Sequence, residues 1–405
     1  MPDTRRRVAV TGIGVVSSLG IGIADFARAV RAGRTGFTPI SSFDTSRFSR
    51  IMGGEVTDFD AKSIVETITP DDWGRSSQFA AAAARLAVRD AGIDPGELAE
   101  ATTSAVMGTT SGESAVLQRL AEQWSSGGPD GVEWTLAATA PAGRISDAVA
   151  SELRLTGESC TIASACAASN YALGVGYDLV SCADADFVLA GGADAMNRHN
   201  HAGFLGLGAL APDVVRPFDA DRAGIITAEG GVALLLEPLD HAQARGAHCY
   251  AEVLGYGANC DAAHMVHPDA DSIAECIRLA HSAAGVSPAD IDYICAHGTG
   301  TAANDVAEVG AIRAVFGATL PPISSIKSMI GHTMGAASGF GAAISCMALY
   351  EGFLPPTANL TTVDPELGPG LDCVPGVARP ADVRVVQNHG FAFGGNNAIT
   401  ILGRL

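Results

Sequence analysis

Short apolar runs alternate with long alanine-rich segments along this chain. Residues 8–11, 103–107, 187–190, 231–236, 293–296 and 385–387 are brief, β-branched and apolar without a polar face, the pattern of strands buried on both sides. Segments 77–92, 167–182, 271–284, 305–316 and 333–350 have the length and composition of helices. The first closes on Asp90-Ala91-Gly92, with glycine where a helix C-cap needs positive φ. Strands and helices alternating in this way predict an α/β fold with buried sheets.

One stretch of the pattern occurs twice. LAVRDAG at 86–92 precedes TSAVMGTTSG at 103–112, and LAHSAAG at 279–285 precedes DYICAHGTGT at 292–301. Each reads as helix, polar connection, short strand and Gly/Thr/Ser loop. Two similar halves, 1–245 and 246–405, are therefore expected, with no low-complexity linker between them.

Composition narrows the class. Hydrophobic residues make up 47% of the 405 and charged residues 17%, which excludes a disordered chain. The 25 Lys+Arg face 44 Asp+Glu, a net charge of −19, so a basic footprint for nucleic acid is absent. Lysine occurs only at Lys62, read as a surface residue, and at Lys327. The nine cysteines are odd in number and irregularly spaced, with no C-x-x-C, which argues for reduced thiols in the cytoplasm rather than a disulfide framework or a zinc ribbon. Arg5-Arg6-Arg7 followed by an apolar run imitates a signal peptide. Gly12, Gly14, Ser17, Ser18 and Gly20 interrupt it, and a buried strand ending in a glycine turn accounts for it better. Residues 333–350 are rich in Gly and Ala and flanked by His332 and Glu351, a helix for a large core rather than a membrane.

Several motifs fail. GIGVVS at 12–17 ends in serine where a dinucleotide loop needs glycine, Lys327-Ser328 lacks the upstream glycines of a P-loop, and no G-x-S-x-G is present. Three other segments carry chemistry. Cys166, in SACAAS, follows a short strand-like run and precedes a helix, where the helix dipole and free N–H groups are expected to lower a thiol pKa and make a nucleophile. A small cysteine packed in an alanine-rich core fits the same segment. His297 ends a strand and opens the loop HGTGT, and Lys327 stands five residues before His332 in KSMIGH. Each of these histidines, taken singly, also fits a satisfied core residue.

Together the three segments resemble the motifs of the β-ketoacyl synthases, condensing enzymes of the thiolase superfamily. DFVLAGGADAM, RPFDADRAG, AHGTGT, KSMIGHTMGAASG and GFAFGGNNA follow in the family's order over essentially the whole chain. The resemblance implies a duplicated thiolase-like fold of five layers, α-β-α-β-α, with two mixed sheets. It makes Cys166 the nucleophile that accepts an acyl chain from an acyl carrier protein. His297 and His332 become the pair that binds the malonyl thioester and promotes decarboxylation. Lys327 becomes a buried cation beside a charge network of Asp305 and Glu308. The backbone N–H groups of Cys166 and Phe393 become an oxyanion hole, with the Phe393 ring as gate, and Thr299 and Thr301 hold the phosphopantetheine arm. Thr110, Ser111 and Gly112 would face the acyl pocket. No metal or cofactor is implied, since the substrates arrive on the carrier's arm.

Asn396, Ala392 and the run Ala223-Gly224-Ile225 depart from the commonest family loops and point to a ketosynthase of a type II polyketide system, including those making polyene chains. A housekeeping fatty-acid elongation enzyme and a non-catalytic chain-length-factor-like subunit are the alternatives; the latter characteristically lacks the nucleophile that Cys166 supplies. The expected partners are the acyl carrier protein and either a second copy or a homologous chain-length-factor subunit, with no membrane or nucleic acid. Carrier proteins are acidic, as is this chain, so a local arginine patch including Arg75 and Arg216 is expected at the site mouth.

Overall fold

The computed structural model describes residues 5–405. The first apolar run becomes strand β1, Val8–Ser17, buried along its whole length. Its glycines are dictated by what lies on it. A Cβ on Gly12 would fall 2.2 Å from the Ala87 carbonyl oxygen, and one on Gly14 would fall 1.8 Å from that of Ala83. Both carbonyls belong to helix α1, Arg75–Ala91, whose run of alanines lets its backbone lie directly on the strand. The glycines that broke the signal-peptide pattern are therefore packing sites. Helix α1 ends on Gly92 at φ 61°, in the left-handed region that glycine enters without a steric penalty.

The first half supplies β1 with β2 (Thr103–Gly108), β3 (Ser159–Ile162), β4 (Phe187–Asp194) and β5 (Gly230–Pro238). The second supplies β6 (Ala251–Cys260), β7 (Tyr293–Cys295), β8 (Ile323–Ser324), β9 (Val385–Phe391) and β10 (Asn396–Gly403). The spatial orders are β3-β2-β4-β5-β1 and β8-β7-β9-β10-β6, which are the same order. The pairing senses also repeat: in each half the first two contacts are parallel and the next two antiparallel. The faint sequence repeat is thus a real duplication. The two mixed sheets are joined, because Val8, Ala9 and Val10 of β1 pair with Val253, Glu252 and Ala251 of β6 and make one continuous ribbon.

Helices α2 (Ala168–Ser181) and α5 (Ala337–Glu351) lie between the two half-sheets, in a core that includes Leu173, Val188, Phe340 and Ile344. Outside the first half, α1 packs on a second core with Phe79 and Leu189. Outside the second half, α3 (Ala270–Ala284) and α4 (Ala302–Phe316) pack on a third with Ile277, Ile312 and Ile399. These are the five layers. Every residue of α5 from Ala337 to Leu349 is buried, which explains its membrane-like composition. Among the described residues, no helix is long and apolar enough to cross a membrane.

Candidate active site

Cys166 sits where β3 turns into α2. The turn is tight: Ala165 has φ 49°, Ala165–Ala167 form a 3₁₀ turn, and α2 follows without a break. Cys166 lines a cleft that opens to solvent and that His297, Thr299, Thr301, His332 and Phe393 also line. Four segments spread over more than two hundred residues of the chain, from Cys166 to Phe393, are thereby brought together. The position at a helix start does not give the expected low pKa. Burial pushes the thiol up to about 12, Lys327 pulls it down, Asp194 adds to the rise, and the N–H groups of Cys166 and Phe393 oppose it. Desolvation outweighs the dipole because the sulfur is almost completely removed from water. At rest Cys166 is therefore a thiol.

The two histidines project from the second half. Their rings are 5.6 Å apart and nearly perpendicular, at 82°. The Nδ1 of His332 accepts the Met334 N–H at 3.1 Å, so the proton of the neutral ring lies on Nε2. Burial holds both rings well below the usual histidine pKa; Lys327 adds to this for each, and His332 and His389 add further for His297. Neutral rings of this kind can donate an N–H to a developing enolate oxygen. The Nδ1 of His297 is buried without a hydrogen-bond partner among the described residues.

Asp305 and Glu308 lie on the inward face of α4, fully buried. Neither touches Lys327, whose Nζ instead donates to the His297 carbonyl at 2.6 Å. Burial draws the lysine pKa down, and the charges of Cys295, Glu308, Cys166 and Asp305 resist the change. The carboxylates hold the loop. Glu308 accepts from the N–H of His297 (2.8 Å) and of Gly298 (2.7 Å), while Asp305 accepts from Gly300 (3.2 Å) and Phe218 (2.8 Å). Burial raises Asp305 to about 6. Burial would also raise Glu308, but the His389 hydrogen bond and charge, with the two loop N–H groups, hold it below its usual value.

Thr299 and Thr301 pair through their hydroxyls at 2.9 Å on the cleft wall, and Thr301 also caps α4 by accepting from the Asn304 N–H. Phe393 is partly exposed, with its ring 5.7 Å from that of Phe204. Thr110, Ser111 and Gly112 do not reach the cleft that holds Cys166. Asp194 fixes their loop by accepting from the N–H groups of Thr110 and Ser111 and from the Thr109 hydroxyl, and its Oδ2 takes the Gly335 N–H as well. Both arginines of the expected patch have partners within the chain. Arg75 clamps buried Glu229 with two hydrogen bonds, at 3.0 and 2.7 Å, and stacks on Phe79, while both ends of the Arg216 fork engage Asp213. Each guanidinium is committed to a partner within the chain. Lys62 is exposed and pairs with Asp71.

Sequence reading missed His389. It lies on β9, its Nδ1 is 2.8 Å from Glu308 Oε1, and its Nε2 meets Gln387, which in turn contacts His281. Nothing in the spacing Gln387-Asn388-His389 reveals this, because the partner carboxylate is 81 residues away.

The chain's relationships agree with this geometry. Residues 5–242 match the family described as beta-ketoacyl synthase, N-terminal domain, and residues 250–361 match its C-terminal domain. A 3-oxoacyl-[acyl-carrier-protein] synthase 2 of Coxiella burnetii is 34% identical over 99% of both chains. The tetracenomycin polyketide synthase ketoacyl synthase alpha subunit of Streptomyces glaucescens is 35% identical over 98% of this chain and 97% of its own. The solved structure of the ishigamide ketosynthase/chain length factor is 48% identical, with a TM-score of 0.97 over 99% of this chain and 100% of that one. The chain belongs to the β-ketoacyl synthase family of condensing enzymes.

Proposed function

We propose that the protein is a decarboxylating condensing acyltransferase that builds a 3-oxoacyl chain on an acyl carrier protein. The observation that carries this reading is the meeting of Cys166, two neutral histidines and the Phe393 N–H in one cleft. Cys166 attacks the acyl thioester of the carrier. The acyl group moves to sulfur, and the thiol proton ends on the departing pantetheine thiolate, with a neutral histidine as relay. A malonyl thioester then enters past Thr299 and Thr301. Its carbon dioxide leaves, and the N–H groups of His297 and His332 stabilise the enolate oxygen. The enolate carbon attacks the Cys166 thioester, whose oxyanion faces the Cys166 and Phe393 N–H groups. Collapse expels the cysteine thiolate, which regains a proton. Carbon dioxide loss generates the carbon nucleophile, so no strong base, metal or redox cofactor is called on.

Lys327, through the His297 carbonyl, keeps a positive charge beside the histidines and favours their neutral form. The partners are an acyl carrier protein and a second homologous chain, which pairs along β3, the half-exposed edge of the first half-sheet. Similarity to the ishigamide ketosynthase/chain length factor supports a chain-length-factor partner, similarity to the tetracenomycin polyketide synthase subunit supports polyketide synthesis, and the loop departures at Asn396, Ala392 and Ala223-Gly224-Ile225 are what point to a type II system and polyene chains. The nine free cysteines support a cytoplasmic setting.

Incubation with acyl- and malonyl-carrier protein, followed by mass, tests the reading. A 3-oxo product longer by two carbons is expected. Acyl transfer without extension would overturn it, and a product confined to saturated chain elongation would move the pathway to fatty-acid synthesis.

A further inference from the structure

Strand β9 alternates its side chains, so Gln387, His389 and Phe391 share one face, the face turned toward α3 and α4. Phe391 reaches the Cys166 cleft, with its ring 5.6 Å from that of His297 and 5.0 Å from that of His389. Gln387 and His389 are buried, as are His281 on α3 and Glu308 on α4. These side chains form an unbroken line of hydrogen bonds. His281 Nε2 lies 2.6 Å from Gln387 Oε1, Gln387 Nε2 lies 2.5 Å from His389 Nε2, and His389 Nδ1 lies 2.8 Å from Glu308 Oε1. The line starts in the outermost layer of the second half and ends under the His297 loop.

Its direction follows from the donors and acceptors. An ionised carboxylate only accepts, and Glu308 takes the N–H groups of His297 and Gly298, the Asn304 amide at 3.2 Å and His389. His389 therefore carries its proton on Nδ1, which leaves Nε2 to accept from the Gln387 amide. Gln387 then turns its oxygen to His281, whose proton lies on Nε2. Turning the amide over would require a second proton on His389, a buried imidazolium close to His297, which already has the Lys327 charge against it. The His297 ring depends on this support. Its Nδ1 has no hydrogen-bond partner among the described residues, so the ring is aimed by its backbone, with the N–H held by Glu308 and the carbonyl by Lys327. We propose that Gln387 and His281 are positioning residues for decarboxylation: they fix the His389 proton on Nδ1, His389 fixes Glu308, and Glu308 aims His297 at the enolate. This rests on the condensing-enzyme reading above and extends the support of that site out to α3.

The first test is carbon dioxide release from malonyl-carrier protein by the assembled enzyme, with Cys166 hexanoylated beforehand. Acylation of Cys166 by hexanoyl-N-acetylcysteamine is read in parallel by intact mass. Gln387→Leu breaks two links and should lower kcat for carbon dioxide release about five- to tenfold, while KM and the acylation rate stay within about twofold. His281→Leu should lower kcat about threefold, and His281→Gln, whose amide can still donate, should recover most of the loss. A merely structural role would depress release and acylation together and would gain nothing from the donor, so either result would overturn the proposal. The second test needs no variant and stands even if the substitutions prevent folding. Neutron diffraction from crystals of the perdeuterated enzyme should show a deuteron on His389 Nδ1 and on His281 Nε2, and none on His389 Nε2. A deuteron on His389 Nε2 would overturn the line. If the unmodified enzyme releases no carbon dioxide from the malonyl donor, the condensing reading falls instead, and the neutron map still decides the direction of the line.

Discussion

The two halves share a backbone and divide the chemistry. In the first, the turn Ser164-Ala165-Cys166-Ala167-Ala168-Ser169 leads into α2; in the second, Thr333-Met334-Gly335-Ala336-Ala337-Ser338 leads into α5. Ala165 has φ 49° and Met334 φ 51°, and each opens a 3₁₀ turn. Gly335 thus stands where Cys166 stands in the other half. The loops after β2 and β7 show the converse: Gly108 corresponds to His297 in the sequence repeat. Both glycines are forced. A Cβ on Gly335 would fall 2.4 Å from the Thr109 carbonyl carbon, and one on Gly108 would fall 2.4 Å from that of Ala168. Gly335 lets the second turn close on the Thr109 loop, and Gly108 lets that same loop close on the start of α2. Duplication supplied two equivalent frames, and close packing left room for one nucleophile and one histidine loop.

The largest effect expected is from Cys166→Gln, which should abolish condensation by at least about 10³-fold while malonyl decarboxylation persists. Product mass and carbon dioxide release read the two separately, and surviving condensation would mean that the halves do not divide the work as described. His297→Ala is expected to cost decarboxylation about 10²–10³-fold and acylation of Cys166 less than about tenfold, since its ring serves the enolate. Equal losses in both steps would place the histidine with the nucleophile instead.

Gly335→Ala sharpens the packing side of the comparison. The methyl meets backbone that cannot swing aside, so a loss of about 1–3 kcal/mol in unfolding free energy is expected from denaturant titration. His389→Leu removes a hydrogen bond from buried Glu308 and should slow decarboxylation about tenfold, with His389→Asn recovering much of the rate because its amide can replace the Nδ1 donor. A purely structural role would lower acylation in parallel. The last two predictions concern pH. With the thiol pushed up to about 12, modification of Cys166 by iodoacetamide should rise about tenfold per unit from pH 7 to 9, without a plateau. The histidines, held well below their usual range, should keep decarboxylation level as pH falls through about 6.5.

Local sequence carried much of this. Runs at 103–107 and 187–190 became β2 and β4, lengthened by a few residues, because continuous β-branched segments have few alternatives once buried. β6 and β10 were not legible: AEVLGYGANC and NNAITILG mix glycine and polar residues, and their strand character comes from pairing with each other across the ribbon. The order of Cys166, His297, Lys327 and His332 likewise named the chemistry, since those residue types recur in few other combinations. The sign of the Cys166 shift was beyond reach, because a helix start is local whereas desolvation depends on everything packed around the sulfur.

By itself, then, the sequence determined the alternation of strands and helices, the duplication and the identity of the reactive groups, all written in short-range patterns. Tertiary structure alone decided which charges were free and which were spent. Arg75 is held by Glu229, which lies 154 residues away in the chain. Lys327 met a carbonyl instead of a carboxylate, and His389 reached Glu308 from a distant strand. Electrostatic partnership depends on separations of a few ångströms between segments far apart in the chain, and only folding sets those distances.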